Sequence, residues 1–111
     1  MNESQKSCLA LVILLDQFPR NLFRESPKAF AGDVKALEFA LYAISQGFDE
    51  NINRVAKLFF YLPLEHSEII SDQEQSLQLI NGFNDKRVSK AATEQHRIIK
   101  RFGRFPTVTL Y

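Results

Sequence analysis

Apolar positions recur along the chain with helical spacing, and no window alternates convincingly enough to predict a strand. In the clearest segment the spacing is i, i+3, i+4 and i+7, at Leu37, Ala40, Leu41 and Ile44. Asp33 is positioned to cap this segment, and Gly47 lies where a left-handed C-cap belongs. The pattern therefore predicts an all-α fold.

Three more helices are predicted on the same grounds, over about 49–63, 67–82 and 88–102, with Asp49 and Ser67 as caps and Gly103 closing the last. The positions expected to face inward are Ile52, Val55, Ala56, Phe59, Ile69, Ile70, Leu77, Ile80, Ala91, Ala92, Gln95 and Ile99. With the N-terminal segment and a short turn begun by Ser26–Pro27, the chain holds about five to six helices.

The N-terminal helix is expected over 8–18, apolar on all sides and therefore buried. Pro19 should end it or open a new turn, because proline lacks an amide donor. Two helical hairpins begin near Val34 and Glu68, a spacing of about 34 residues that is typical of tetratricopeptide (TPR) helix pairs. The consensus residues of that repeat are absent. We expect TPR-like stacked antiparallel hairpins in a single domain over residues 1–111.

Charge is unevenly placed, although the whole chain carries only +1. Residues 25–85 hold ten acidic and four basic residues, whereas residues 86–111 hold seven basic residues and one acidic residue. A solvated last helix explains this most simply, and a small-anion site is the alternative. Nucleic-acid binding is not expected, because no aromatic interleaving or known motif accompanies the basic residues.

A lone cysteine, Cys8, excludes an internal disulfide and gives no indication of an oxidising compartment. The longest apolar run, 8–15, is far shorter than the roughly 20 residues that span a bilayer. Its N-terminal flank also lacks the features of a signal peptide. We expect a cytoplasmic protein with no membrane segment.

Dense polar residues interrupt the apolar sequence first at residues 16–24, where the candidate ligand-binding side chains are Asp16, Gln17, Arg20, Asn21 and Arg24. An arginine fork suits a carboxylate or phosphate. The competing interpretation is structural, a buried Asp16–Arg20 pair that satisfies groups at the helix end.

The second polar stretch covers 61–68 and leads to Gln73. Ser67 is expected to cap a helix with Glu68 in its first turn, and Gln73 lies on the apolar stripe, where a buried amide needs partners. His66 is a candidate proton-transfer group, with a hydrogen-bonded structural role as the alternative.

The third stretch begins at Gln95 and His96 and continues to Arg101 and Arg104. We treat His66, Glu68 and His96 as weak catalytic candidates. Ser67, Gln73, Arg101 and Arg104 join the ligand-binding candidates. Histidine spacing for a metal is absent, so neither a metal nor another cofactor is predicted.

Together, residues 14–21, 61–68 and His96 followed by 101–106 resemble the bacterial domain-of-unknown-function family nine-two-four. The resemblance implies a TPR-like helical fold and no established activity. It also implies a further N-terminal helical portion and a final short helix that this sequence lacks. The chain is thus expected to be a short or truncated member, and the helix over 8–18 to expose apolar surface that a symmetric dimer would bury.

The sequence leaves two functions open. In the first, the helices form a scaffold for a protein partner. In the second, a polar cluster binds a small anionic ligand, with or without catalysis, through Asp16, Arg20, His66, His96 and Arg104. Common enzyme motifs are absent, which favours the scaffold.

Overall fold

The computed structural model describes residues 1–24 and 26–105, and within them it confirms the all-α fold. Five α-helices and one short 3₁₀ turn are formed there, and no strand. In chain order the elements are α1 (Glu3–Leu22), the 3₁₀ turn (Pro27–Phe30), α2 (Asp33–Ser45), α3 (Arg54–Glu65), α4 (Ile70–Asn81) and α5 (Lys86–Phe102).

The first helix is longer at both ends than the sequence predicts. Asn2 caps it through a reciprocal pair of hydrogen bonds with Gln5. Of the two outcomes expected at Pro19, an end of the helix or a new turn, the first is wrong, because α1 continues to Leu22 and the Phe23 amide donates to the Pro19 carbonyl. A proline removes one amide donor but keeps its carbonyl, so the turn that follows still forms.

Burial of α1 also differs from the prediction of a helix covered on all sides. Cys8, Val12 and Asp16 form its buried face, against α2 and the 3₁₀ turn. Four large apolar side chains on the other side are 38–57% exposed: Leu11, Leu14, Phe18 and Leu22. An apolar sequence permits burial on every side, but only a neighbouring element on each side achieves it.

The second helix meets α1 through its smallest residues. Ala36, Ala40 and Ala43 are fully buried, rather than the larger Leu37 and Ile44 of the predicted stripe. Gly32 precedes the helix, and a Cβ at that position would overlap the Leu15 carbonyl group. Asp33 is the first helical residue and not the predicted cap, which leaves its carboxylate for another partner. Gly47 has the expected left-handed conformation.

The third helix begins later than predicted. The Asn53 side chain, and not Asp49, accepts a hydrogen bond from a first-turn amide, that of Ala56. Asp49 is itself buried and accepts a hydrogen bond of 2.6 Å from the Tyr61 hydroxyl. Val55, predicted to face inward, is 65% exposed.

The fourth and fifth helices form an antiparallel hairpin. Ile69 and Ile70 are exposed where the sequence predicts burial, because α4 begins at Ile70 and they precede its buried face. That face carries Gln73, Ser76 and Ile80. Asp85 caps α5, and the exposed Ala91 likewise corrects the predicted stripe. Gly103, in the left-handed conformation, closes α5 as predicted.

Two compact units divide the chain, one ending at Pro63 and one beginning at Leu64. The first contains α1, the 3₁₀ turn and α2, and the second contains the α4–α5 hairpin. A single domain over the whole chain stays a prediction, as does the TPR-like character of the stacking.

Replacing Tyr61 by Phe should destabilise the protein by about 2 kcal/mol, because the buried Asp49 carboxylate loses its hydrogen-bond donor. Equilibrium unfolding in urea measures the change. Tyr42→Phe is the matched control, since Tyr42 is 53% exposed, and it should stay within about 0.5 kcal/mol of the parent.

The same tyrosine gives a pH dependence with a defined sign. Burial, and then the hydrogen bond to Asp49, raise the pKa of Tyr61 above its ordinary value. Above about pH 10 the unfolded chain ionises this tyrosine while the folded chain keeps it protonated, so stability falls as pH rises. Tyr61→Phe should lose less stability than the parent between about pH 9 and 11. An equal loss in both proteins would show that Tyr61 is not the responsible group.

Candidate functional site

The predicted Asp16–Arg20 pair exists, and a second carboxylate extends it. Arg20 Nη1 lies 2.9 Å from Asp16 Oδ1 and 2.7 Å from Asp33 Oδ1, and Nη2 lies 3.1 Å from Asp33 Oδ2. Nη1 also donates to the Asp16 carbonyl oxygen at 2.8 Å. The guanidinium therefore makes a two-pronged contact with Asp33 and ties it to the end of α1.

Other groups complete the surroundings of this cluster. Gln17 Nε2 donates to Asp16 Oδ2 at 2.6 Å, and the Arg20 guanidinium lies over the Phe30 ring, 5.5 Å from its centroid. The Asp16 side chain is 1% exposed and that of Arg20 is 12% exposed. Two carboxylates surround one guanidinium, so the cluster has a formal charge of −1 and little positive potential for an anion.

Local sequence explains how α1 presents these groups. Asp16 and Arg20 are one turn apart, so both point along the same side of the helix. Between them Pro19 has no amide to donate to the Leu15 carbonyl, and Gly32 packs its backbone against that same carbonyl. Asp33 follows directly, which brings its carboxylate within reach of Arg20.

The remaining ligand-binding candidates of residues 16–24 lie at the edge of this cluster or outside it. Asn21 and Arg24 are exposed, and Gln17 is half-buried against Asp16. The geometry favours the structural interpretation of Asp16, Gln17 and Arg20. Ligand binding by any of the five stays a prediction.

In the second unit, the segment between α3 and α4 is held by side chains that bond to backbone. Gln73 Nε2 donates to the carbonyl oxygens of Glu65 and Ser67, each at 2.6 Å. Ser67 does not cap α4 as predicted, but its hydroxyl donates to Asp72 Oδ2 at 2.7 Å and accepts from the Ile69 amide. The expected partners of Gln73 are thus carbonyl groups of the preceding turn.

Glu68 precedes α4 rather than lying in its first turn, and it bonds to the segment after α5. Its carboxylate Oε2 accepts a hydrogen bond of 2.6 Å from the Phe105 amide. Phe105 is buried, whereas Arg101 and Arg104 are exposed. Glu68 thereby closes the end of the hairpin, and Pro106, the last residue of the third motif, lies outside the described residues.

The two histidines are both half-buried, His66 between α3 and α4 and His96 on α5. Across the described part of the chain no group of three or more histidine, cysteine or acidic residues is arranged to hold a metal ion. Convergence of Asp16 and Arg20 with His66, His96 and Arg104, which the ligand hypothesis requires, stays a prediction.

Sequence reasoning missed the roles of four residues that hold these segments together. Asp33 was expected to be a cap and is instead the second partner of Arg20; the two residues are 13 positions apart, too far for any local pattern to pair them. Gly32 and the Tyr61–Asp49 pair gave no local signal either, because each depends on the approach of separate segments.

Comparison with known proteins identifies the family to which the chain belongs. The model of a family described as bacterial protein of unknown function (DUF924) matches residues 1–108. The chain belongs to this family. No curated protein matches it.

A solved structure supports the same assignment. A protein of unknown function from Agrobacterium tumefaciens is similar to this DUF924 chain, with 42% sequence identity and a TM-score of 0.85. The match covers 92% of this chain and 57% of that one, so this chain spans little more than half the length of its relative. The family and the relative carry no assigned activity.

Replacing Arg20 by Ala should destabilise the protein by about 3–5 kcal/mol, because Asp16 stays buried without its cation. Arg24→Ala is the matched control, since Arg24 is exposed, and it should change stability by less than about 0.5 kcal/mol. Thermal and urea unfolding measure both. Equal, small effects of the two substitutions would contradict the structural interpretation of Arg20.

Proposed function

We propose that this chain is a helical scaffold for protein association, and that it associates through the exposed face of α1. Leu11, Leu14, Phe18 and Leu22 form this face, called the α1 strip below. Their spacing of three or four residues aligns them along one side of the helix. A continuous apolar strip on a surface helix marks an interaction site more often than it marks ordinary solvent exposure.

The absence of charge on this side of the helix carries the proposal. Between positions 7 and 22 the exposed residues of α1 are Ser7, Ala10, Asn21 and the four of the α1 strip. The two charged residues of that range, Asp16 and Arg20, are engaged with each other and with Asp33. The α1 residues on this side therefore add no charge that must be desolvated when another apolar surface covers them.

A second copy of the chain is the proposed occupant. The α1 strip is approximately symmetric about a point between Leu14 and Phe18, so two copies can pair antiparallel about a two-fold axis there. Leu14 of one copy then meets Phe18 of the other, and Leu11 meets Leu22. No like charges are opposed in this arrangement, whereas two basic α5 faces would repel each other.

The alternatives to this proposal have less support. No α-helix among the described residues has the length and apolar character needed to cross a membrane. A small-anion site remains the second functional proposal, but Arg20, its central residue, is held between Asp16 and Asp33. The cytoplasmic location belongs to the proposal and rests on the single cysteine.

Leu14→Glu should convert the dimer to a monomer, because it buries a carboxylate without a counter-charge against Phe18 of the other copy. Sedimentation velocity at tens of micromolar measures the oligomeric state. Val34→Glu is the matched control, since Val34 is 72% exposed on α2, outside the α1 strip, and it should leave the dimer intact.

Two results would overturn the α1 dimer: a monomeric parent protein at tens of micromolar, or a Leu14→Glu variant that stays dimeric. Phe18→Glu provides a second variant at the same contact. Circular dichroism of each variant shows whether the helices are retained, so loss of folding is distinguished from loss of association.

A further inference from the structure

Three buried side-chain oxygens in the α4–α5 hairpin have no hydrogen-bond partner among the described residues. They are Gln73 Oε1, Ser76 Oγ and Gln95 Oε1. Gln73 is 0% exposed and Ser76 is 1% exposed. Buried polar groups are nearly always hydrogen-bonded, so three such atoms in one hairpin require a common explanation.

The bonds that Gln73 already makes determine what its oxygen can do. Both hydrogens of Nε2 are used, one toward the Glu65 carbonyl and one toward the Ser67 carbonyl. Exchanging the amide oxygen and nitrogen would place an oxygen against two carbonyl groups, so the orientation is fixed. Gln73 Oε1 therefore faces away from this turn as an acceptor that needs a donor.

The other two atoms complement it. Ser76 has a hydroxyl proton to donate, and Gln95 Oε1 is a second acceptor. The set as a whole offers one donor and two acceptors. A group that accepts one hydrogen bond from the hydroxyl and donates one to each amide oxygen satisfies all three atoms.

Helical geometry places these residues within about one turn of each other along the hairpin. Gln73 and Ser76 are three positions apart, on the same face of α4. Gln73 lies nine residues before Gly82 and Gln95 lies ten residues after Asp85, so the two stand about equally far along their helices from the connecting turn. Ala92 lies at the level of Ser76 by the same count and is fully buried, so both residues at this level are small.

We propose that a single buried water molecule binds here, between α4 and α5. It donates to Gln73 Oε1 and to Gln95 Oε1, and it accepts from the Ser76 hydroxyl. Three hydrogen bonds to otherwise unsatisfied groups is the usual number for an internal water. A cation fits less well, because three neutral oxygens supply no compensating charge in a buried site.

The site gives the Gln73 side chain a second function. Through Nε2 it holds the α3–α4 turn, and through Oε1 and the water it is joined to α5. The water thus links the turn that contains Ser67 to the last helix. It also accounts for polar residues on apolar stripes at positions 73 and 95, which packing alone would fill with leucine.

The sign of one stability change tests the proposal. If the Ser76 hydroxyl donates to a bound water, Ser76→Ala removes a satisfied bond and should lower the urea midpoint. If the hydroxyl has no partner, the same substitution removes a desolvation penalty and should raise the midpoint. Ser71→Ala is the matched control, since Ser71 is exposed on the same helix, and it should leave the midpoint unchanged.

A direct measurement does not depend on any stability effect. Oxygen-17 magnetic relaxation dispersion counts waters that stay bound for longer than the protein tumbles. We expect the signal of the parent protein to exceed that of Ser76→Val, which fills the space, by the equivalent of one water. A Ser76→Ala midpoint above that of the parent, or equal dispersion in the parent and Ser76→Val, would overturn the proposal.

Discussion

The structure of the first unit depends on neutralising a negative charge that is buried on the inner side of α1. Asp16 is almost inaccessible to solvent, and leaving it without a counter-charge would cost several kcal/mol. Arg20 one turn later supplies that charge, and Asp33 uses the rest of the guanidinium. The same contact ties the first residue of α2 to α1, next to the close approach at Gly32 and the buried alanine face of α2.

The second unit follows the same physical rule with neutral groups. Its turns have backbone groups that need partners, and Gln73, Ser67 and Glu68 supply them from side chains. These three residues, which stood out in the sequence among the misplaced polar groups, are therefore engaged in holding turns. A separate feature of the surface is the α1 strip, whose four apolar side chains are 38–57% exposed.

Sequence reasoning succeeded where the signal was local. The left-handed glycines at 47 and 103 and the Asp16–Arg20 pair followed from short-range rules. Helix starts were predicted less well, because Asp49 and Ser67 are good caps by residue type but were recruited by Tyr61 and Asp72. A side chain that could cap a helix can instead form a hydrogen bond with another nearby group, and only the folded structure shows which groups are nearby.

By itself, the sequence determined the all-α class, the family and the amphipathic or apolar character of each helix, because these depend on spacing within about one or two turns. Only the tertiary structure decided which faces were covered. An apolar helix such as α1 is equally compatible with burial on one side or on all, and the number of neighbouring elements settles the matter. The same holds for Asp33 and Gly32, whose roles arise from contacts between segments that no local pattern encodes.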